Sequence, residues 1–239
     1  MALPKLNSDL PQFELTVPST GKIVSFRPFL IREQKSLLIA MEGNNPKNMF
    51  KAMLNTIQSC VQGVDVYDLA TFDVDYIFSQ IRSKSVGETA DINVKCNNCK
   101  TQNKVTINID QIKVEIDSNK KMIIEVTKDI SIKMKYPSYA DIYKSSKIFE
   151  EKPSGTEVIF DLIINCMESV QTETENLLIK DQKKEDVDEF LNSLTNIQFE
   201  QLAAFANDIP ALTHDIKFNC IDCKVENIYT VEGLQDFFT

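Results

Sequence analysis

The sequence lacks tryptophan, and among its 239 residues it has six glycines and one histidine, His214. A catalytic Ser-His-Asp or Cys-His arrangement would therefore have to use His214, which lies just before a predicted strand. No glycine-rich loop of the kind that cradles phosphates is present, so the usual nucleotide-binding signatures are missing. We therefore predict that the protein is not an enzyme, with no catalytic or cofactor-binding residue and no small-molecule substrate.

Long apolar runs are also absent. No stretch approaches the roughly 18 apolar residues that a membrane-spanning helix needs, and Met1–Lys22 contains no run typical of a secretory signal. A cytoplasmic location with reduced thiols is expected on these grounds. The formal net charge of −9 and the pI near 4.8 argue against nucleic acid as a partner, because nonspecific binding to it depends on neutralising phosphates.

Two C-x-x-C pairs, here called knuckles, are present: Cys96–Cys99 is the first and Cys220–Cys223 the second. Two residues between cysteines let both sulfurs of a turn point at one metal, and two such turns complete a tetrahedron. We predict a structural zinc site whose ligands are Cys96, Cys99, Cys220 and Cys223. Four thiolates close the coordination sphere of zinc, so the site would organise the fold and leave no position for a substrate.

The sequence around the knuckles bears on whether the cysteines bind zinc or have another role. Apolar residues alternate before each knuckle, at Ile92 and Val94 and again at Ile216 and Phe218, which predicts strands and places each knuckle at a hairpin tip. A thiol oxidoreductase would instead need its C-x-x-C at the start of a helix. Disulfides would need an oxidising compartment, and free thiols are the remaining alternative. The separation of the knuckles exceeds the about 15–20 residues of many zinc sites.

The other two cysteines follow the period of a helix. Cys60 belongs to an apolar stripe over residues 49–61, and Cys166 to a stripe over residues 158–170. Such stripes face a protein core, and a free cysteine packs there as a small apolar residue. We predict that both are core residues.

The remaining patterns predict an α+β fold. A hairpin is predicted over Phe13–Val17 and Ile23–Phe29, and helices over residues 31–41, 46–61 and 74–83. Residues 88–135 indicate strands, Ser138–Ala206 a stretch of helices, and His214–Val231 strands again; Leu234–Phe238 could add a helical turn. Apart from the duplicated knuckle, no internal repeat is evident.

These elements predict three regions. Residues 1–87 form an N-terminal arm, a hairpin and helices; residues 88–136 with 213–239 form a zinc-ribbon-like β region; residues 137–212 form a helical insertion packed on it. The arm, Ala2–Pro11, carries three leucines between prolines that disfavour a helix. It either docks on a partner or folds back on its own chain.

Two segments resemble a known family, the baseplate hub and hub-assembly proteins of T-even-type contractile-tailed bacteriophages. The first contains a hairpin turn with the sequence PSTGK, Pro18–Lys22, then Arg27–Phe29 and a charged helix over Arg32–Ala40. The second is the helix DYIFSQIRSKSVGE, Asp75–Glu88. The resemblance is strongest over residues 3–108.

The resemblance implies a non-enzymatic structural or assembly protein of the central hub of the viral tail baseplate. Its partners would be other baseplate hub proteins, and it would be found in the host cytoplasm during assembly and in the virion tail. Whether it stays in the particle or leaves as an assembly factor is open at this point. The alternative is a zinc-ribbon adaptor for nucleic acid or transcription, against which the acidic charge counts.

Overall fold

The computed structural model describes residues 10–43, 45–144 and 155–232. Most of the predicted arm, Ala2–Pro11, and the predicted helical turn, Leu234–Phe238, lie outside these residues. The described helices are α1 Ile31–Glu42, α2 Pro46–Cys60, α3 Thr71–Val86, α4 Tyr139–Lys144, α5 Gly155–Cys166, α6 Lys184–Asn192 and α7 Asn196–Asn207. The strands are β1 Phe13–Thr16, β2 Ile23–Phe26, β3 Val61–Gln62, β4 Thr89–Lys95, β5 Gln102–Asn108, β6 Lys113–Val114, β7 Ile123–Glu125, β8 Ile130–Met134, β9 Met167–Thr172, β10 Asn176–Leu178, β11 Leu212–Asn219 and β12 Glu226–Glu232. This mixture of helices and antiparallel sheets confirms the α+β class.

The described chain divides into two compact units. The first takes the residues up to Val66, then Phe72–Glu115, and the residues from Ala211 onward. The second takes Tyr67–Thr71 and Ile116–Pro210. Apart from the short segment Tyr67–Thr71, the chain therefore leaves the first unit after β6 and returns to it at β11.

The first unit begins with the predicted hairpin. Strands β1 and β2 pair antiparallel from Phe13 opposite Phe26 to Thr16 opposite Ile23, and β3 adds to the free side of β2. The turn uses Gly21 at a φ of +67°, which a glycine adopts without the steric cost of a side chain. The three predicted helices are confirmed as α1, α2 and α3, and α3 begins earlier than predicted, at Thr71.

Helix α2 shows how the local sequence sets an element in place. The Asn45 side chain accepts a hydrogen bond from the backbone N–H of Asn48, and Pro46 occupies the first helical turn, where its missing N–H costs nothing. Its apolar side then reaches the core of the unit. The largest fully buried side chains of that unit are Phe26, Leu54, Ile57, Phe72, Ile77, Phe78, Ile81, Ile109 and Ile112.

Two further hairpins in the first unit carry the knuckles. Strands β4 and β5 pair from Thr89 opposite Asn108 to Lys95 opposite Gln102, and we call them the first hairpin. Strands β11 and β12 pair from Thr213 opposite Glu232 to Asn219 opposite Glu226, and form the second hairpin, with β6 on the other side of β11. Both knuckles therefore connect paired strands, as predicted.

The second unit contains an antiparallel sheet in the order β10-β9-β8-β7, with α5 and α7 packed together. Its core is formed by side chains from the sheet and from helices α5, α6 and α7: Ile132, Met134, Ile163, Cys166, Met167, Val170, Leu191, Leu202, Phe205 and Ala206.

The predicted stretch of helices over Ser138–Ala206 contains α4, α5, α6 and α7, but two strands that were not predicted, β9 and β10, lie between α5 and α6. Helix α5 ends at Cys166 and β9 begins at Met167, so Val170 lies in a strand and pairs with Ile132. Met167 and Val170 fit the helix period as well as a strand face, and local spacing does not distinguish the two. The choice is made by the distant strand β8.

Candidate metal centre

The four cysteines of the two knuckles lie together. Their Sγ atoms are all within 4.8 Å of one another, and the two hydrogen-bonded sulfur pairs both join one knuckle to the other. Cys96 Sγ is 3.6 Å from Cys223 Sγ, and Cys99 Sγ is 3.5 Å from Cys220 Sγ. All four are free thiols. A tetrahedral zinc with sulfurs at about 2.3 Å holds them about 3.8 Å apart, close to this spacing.

Each knuckle is a tight turn built in the same way. In the first, the Cys96 N–H donates to the Thr101 carbonyl at 2.9 Å, and the Lys100 N–H donates to the Cys96 carbonyl at 3.0 Å. Lys100 has a φ of +62°, and its ammonium group donates to the Asn97 carbonyl at 2.9 Å. The left-handed residue turns the chain back under the two sulfurs.

The second knuckle repeats these contacts. The Cys220 N–H donates to Val225 at 3.0 Å, and the Lys224 N–H donates to Cys220 at 3.1 Å. Lys224 has a φ of +60° and its ammonium group donates to the Ile221 carbonyl at 2.8 Å. Lys100 and Lys224 therefore close the two turns in the same way.

A buried asparagine of the first hairpin reaches the second knuckle. Asn103, on β5, accepts a hydrogen bond from the Ile221 N–H at 2.8 Å, and its amide nitrogen lies 3.8 Å from Cys220 Sγ. The same nitrogen donates to the carbonyl of Thr101 at 2.8 Å, which fixes the side chain. Asn103 therefore holds the first hairpin to the turn of the second.

Asn227, on β12, makes the reciprocal contacts. It accepts from the Asn97 N–H at 2.8 Å, and its amide nitrogen lies 3.5 Å from Cys96 Sγ and donates to the Val225 carbonyl at 2.8 Å. Both asparagines are buried, and a buried amide without partners would cost free energy. We call this pair of contacts the crossed asparagine brace.

The equivalent positions of the two asparagines reveal an internal repeat that was not predicted from the sequence. Residues 89–106 and 213–230 share the pattern T-x-D-I-x-x-x-C-x-x-C-K-x-x-N-x-x-T. The shared Asp and Thr also pair: the hydroxyl of Thr106 donates to Asp91, and that of Thr230 donates to Asp215, each at 2.6 Å. The signal was available in the sequence, because the asparagine stands at the same distance from the cysteines in both halves.

The comparison with protein families matches residues 10–239 to the family described as T4 bacteriophage base plate protein. The chain belongs to this family. The match covers both units and all four knuckle cysteines, and it confirms the resemblance of the chain to baseplate proteins of T4-type phages. Comparison with curated proteins and with solved structures found no match.

Hydrogen bonds shift the proton affinities of the thiols in this baseplate protein. The backbone N–H of Cys99 is the main cause that lowers the pKa of the Cys96 thiol to about 6, with smaller contributions from Asn98 and Asn227 and against the effect of burial. Contacts with the side chain and backbone of Thr101 lower the pKa of Cys99. N–H donors directed at sulfur stabilise thiolates, which are the form that binds a metal.

Cys223 shows the opposite shift. The Val225 N–H favours its thiolate, but burial and the hydrogen bonds that it shares with Cys99 and Cys96 together raise its pKa. Four sulfurs this close cannot all carry a negative charge without a cation between them, so some keep their protons. Metal binding would release those protons.

The remaining cysteines take no part in the cluster. Cys60 ends α2 and Cys166 ends α5, and both are buried. Burial is the largest cause that raises both pKa values, that of Cys166 to about 12. Their prediction as core residues is confirmed.

His214 lies inside β11, opposite Val231, and not before the strand as predicted. The His214 side chain is half-buried. Among the described residues, the four knuckle cysteines form the one group that could hold a metal ion, and His214 does not belong to it. None of the described helices of the baseplate protein is long and apolar enough to cross a membrane.

Proposed function

We propose that this chain is a non-enzymatic structural or assembly protein of the central hub of the tail baseplate, and that it acts through contacts with other baseplate proteins. The family match over residues 10–239 carries this proposal. Within that role, Cys96, Cys99, Cys220 and Cys223 hold a structural zinc ion, which makes the first unit a zinc-ribbon-like scaffold.

The chemistry of the donor set supports zinc. Its members are four sulfurs, with no carboxylate or histidine among them. Thiolates select zinc or iron–sulfur chemistry over calcium and magnesium, which take oxygen ligands. A single ion at tetrahedral distance fits the sulfur spacing and the N–H donors around it.

The position of the site explains what a metal would do for the fold. The two hairpins are distant in sequence, because most of the second unit, Ile116–Pro210, lies between β6 and β11. A zinc ion bound by two ligands from each hairpin links the parts of the chain that precede and follow this segment. Such an ion stabilises the fold, because the site exists only in the folded chain.

Affinity purification from infected cells tests the hub proposal. We expect the tagged chain to co-purify with other baseplate hub proteins, and mass spectrometry of mature particles to decide between a retained subunit and a factor that leaves. An equally tagged head protein of the same phage is the control. Recovery of the chain with nucleic acid and without baseplate proteins would favour the adaptor alternative and contradict the proposal.

A further inference from the structure

Helix α1 exposes several large apolar side chains and buries a charged one, which is the reverse of a usual amphipathic helix. Glu33 is its one buried residue, with 7% of its surface exposed. Ile31 and Leu38 are 78% and 52% exposed, and Ile39 and Met41 are also exposed. A helix on the surface of a globular protein normally turns its apolar stripe inward. In α1 the apolar stripe faces away from the protein.

The orientation of α1 is fixed by its buried carboxylate. Glu33 is 3.1 Å from the guanidinium group of Arg27 and 2.7 Å from that of Arg32. It also accepts a hydrogen bond from the backbone N–H of Leu30 at 2.6 Å. Turning the apolar side of α1 inward would expose Glu33 and break these contacts, so the reversed orientation is a built feature of the fold.

The outward face has an ordered arrangement of charge. With 3.6 residues per turn, Ile31, Lys35, Leu38 and Glu42 fall on one side of the helix. Lys35 comes three residues before Leu38 and Glu42 four residues after it. Within the described part of the chain, neither Lys35 nor Glu42 forms an ion pair. An apolar centre thus has a positive charge on one side and a negative charge on the other.

This arrangement is complementary to itself. If a second α1 lies antiparallel with Leu38 packed on Leu38, each Lys35 comes within about one residue rise, 1.5 Å along the axis, of the level of the opposite Glu42. A twofold axis brings the same patch of both copies together, which requires a self-complementary patch. We propose that the outer face of α1 binds the outer face of α1 in a second copy of this chain.

The contact is small. One face of a short helix buries less area than a standard protein interface, so we expect a weak and reversible dimer. Apolar burial at Leu38, Ile39 and Met41 provides the attraction. The two Lys35–Glu42 pairs fix the antiparallel direction, since a parallel pair would bring like charges together.

Sedimentation equilibrium of the full chain over a wide concentration range tests the proposal. We expect the weight-average mass of the natural protein to rise with concentration toward that of a dimer, and Leu38→Glu to stay monomeric. Ile197→Glu is the matched control. Ile197 is an exposed isoleucine on α7, in the second unit, and its substitution should leave the dimer unchanged.

Exchanging the charges of Lys35 and Glu42 tests the antiparallel pairing more specifically than Leu38→Glu does. Lys35→Glu and Glu42→Lys should each weaken the dimer about tenfold, because each puts like charges opposite one another. An equimolar mixture of the two variants should recover association, since one copy then carries two acids and the other two lysines. Circular dichroism and metal content should not change in any variant, which separates this test from that of the metal site and the hub.

Two outcomes would overturn the proposal. The natural protein could remain monomeric at all concentrations, or Leu38→Glu could dimerise as well as the natural protein. If the natural protein is monomeric and Leu38→Glu abolishes binding to a different baseplate protein, the face belongs to another occupant.

Discussion

The two hairpins of the candidate metal centre correspond on the inside and differ on the outside. Their inner residues, the cysteines and asparagines of the repeat, make the same contacts in both halves. On the outside, Asn97 of the first hairpin corresponds to Ile221 of the second, and Lys104 corresponds to Ile228. Ile221 and Ile228 are 64% and 56% exposed. The inner residues are constrained by the site, whereas nothing in the site constrains the outer ones.

Replacing a ligand should have the largest effect and should be equal in both halves. Structural zinc supplies about 10–16 kcal/mol of apparent binding free energy, comparable to the stability of a whole domain. We expect Cys96→Ser and Cys220→Ser both to lose zinc by elemental analysis and to make the first unit sensitive to protease. Cys60→Ala is the control and should keep its zinc at a cost of about 1–2 kcal/mol. Full zinc content in both serine variants would refute the assignment.

Replacing an asparagine of the crossed asparagine brace should have the second largest effect. Asn103→Leu and Asn227→Leu each leave a backbone N–H of the opposite knuckle without its partner, which costs about 1–3 kcal/mol. Loss of such contacts around a metal lowers affinity about 10–100-fold, which competition with a zinc chelator measures. Asn93→Leu is the matched control, because Asn93 is exposed on β4. A large effect from one asparagine and none from the other would break the correspondence of the two halves.

The left-handed lysines should give a smaller effect. Lys100 and Lys224 hold φ angles of +62° and +60°, a region that disfavours side chains branched at Cβ. We expect Lys100→Val and Lys224→Val to lower the free energy of unfolding of the zinc-loaded protein by about 1–2 kcal/mol. The corresponding glycine variants should remain within about 1 kcal/mol of the natural protein. Urea unfolding measures both, and a valine variant as stable as its glycine counterpart would contradict the expectation.

Exchanging outer residues should have the least effect. Ile221→Asn gives the second knuckle the residue of the first, on a side chain that is exposed. We expect a change in unfolding free energy within about 0.5 kcal/mol and unchanged chelator competition, because surface substitutions away from special features have small effects. A drop of zinc affinity comparable to that of Asn227→Leu would show that the outer surface supports the site after all.

The sequence predicts those parts of this centre that local patterns encode. C-x-x-C spacing and strand alternation identify all four thiols and both hairpins, since each knuckle is a local turn. Asn103 and Asn227 escaped prediction because each acts on the opposite hairpin, and an isolated asparagine after a turn looks like an ordinary polar residue. Only the comparison of the two halves distinguishes them.

Two other features depend on contacts that spacing does not show. Strand β9 followed a helical pattern in sequence and was decided by its pairing with β8. The apolar stripe of α1 predicts a helix correctly, but not which side of it is buried. That side is set by Glu33 and its contact with Arg27, which precedes the helix.

The order of the two hairpins along the chain has a consequence for synthesis on the ribosome. Cys96 and Cys99 emerge first and can offer a metal only two thiolates, while most of the second unit, Ile116–Pro210, is still to be translated. Domains generally fold as units while the chain emerges, so the second unit is complete before the second knuckle appears. Four-thiolate binding then begins only when Cys220 and Cys223 leave the exit tunnel. A chain released earlier would carry an open pair of thiols, and zinc loading would thus mark chains whose translation has passed the second knuckle.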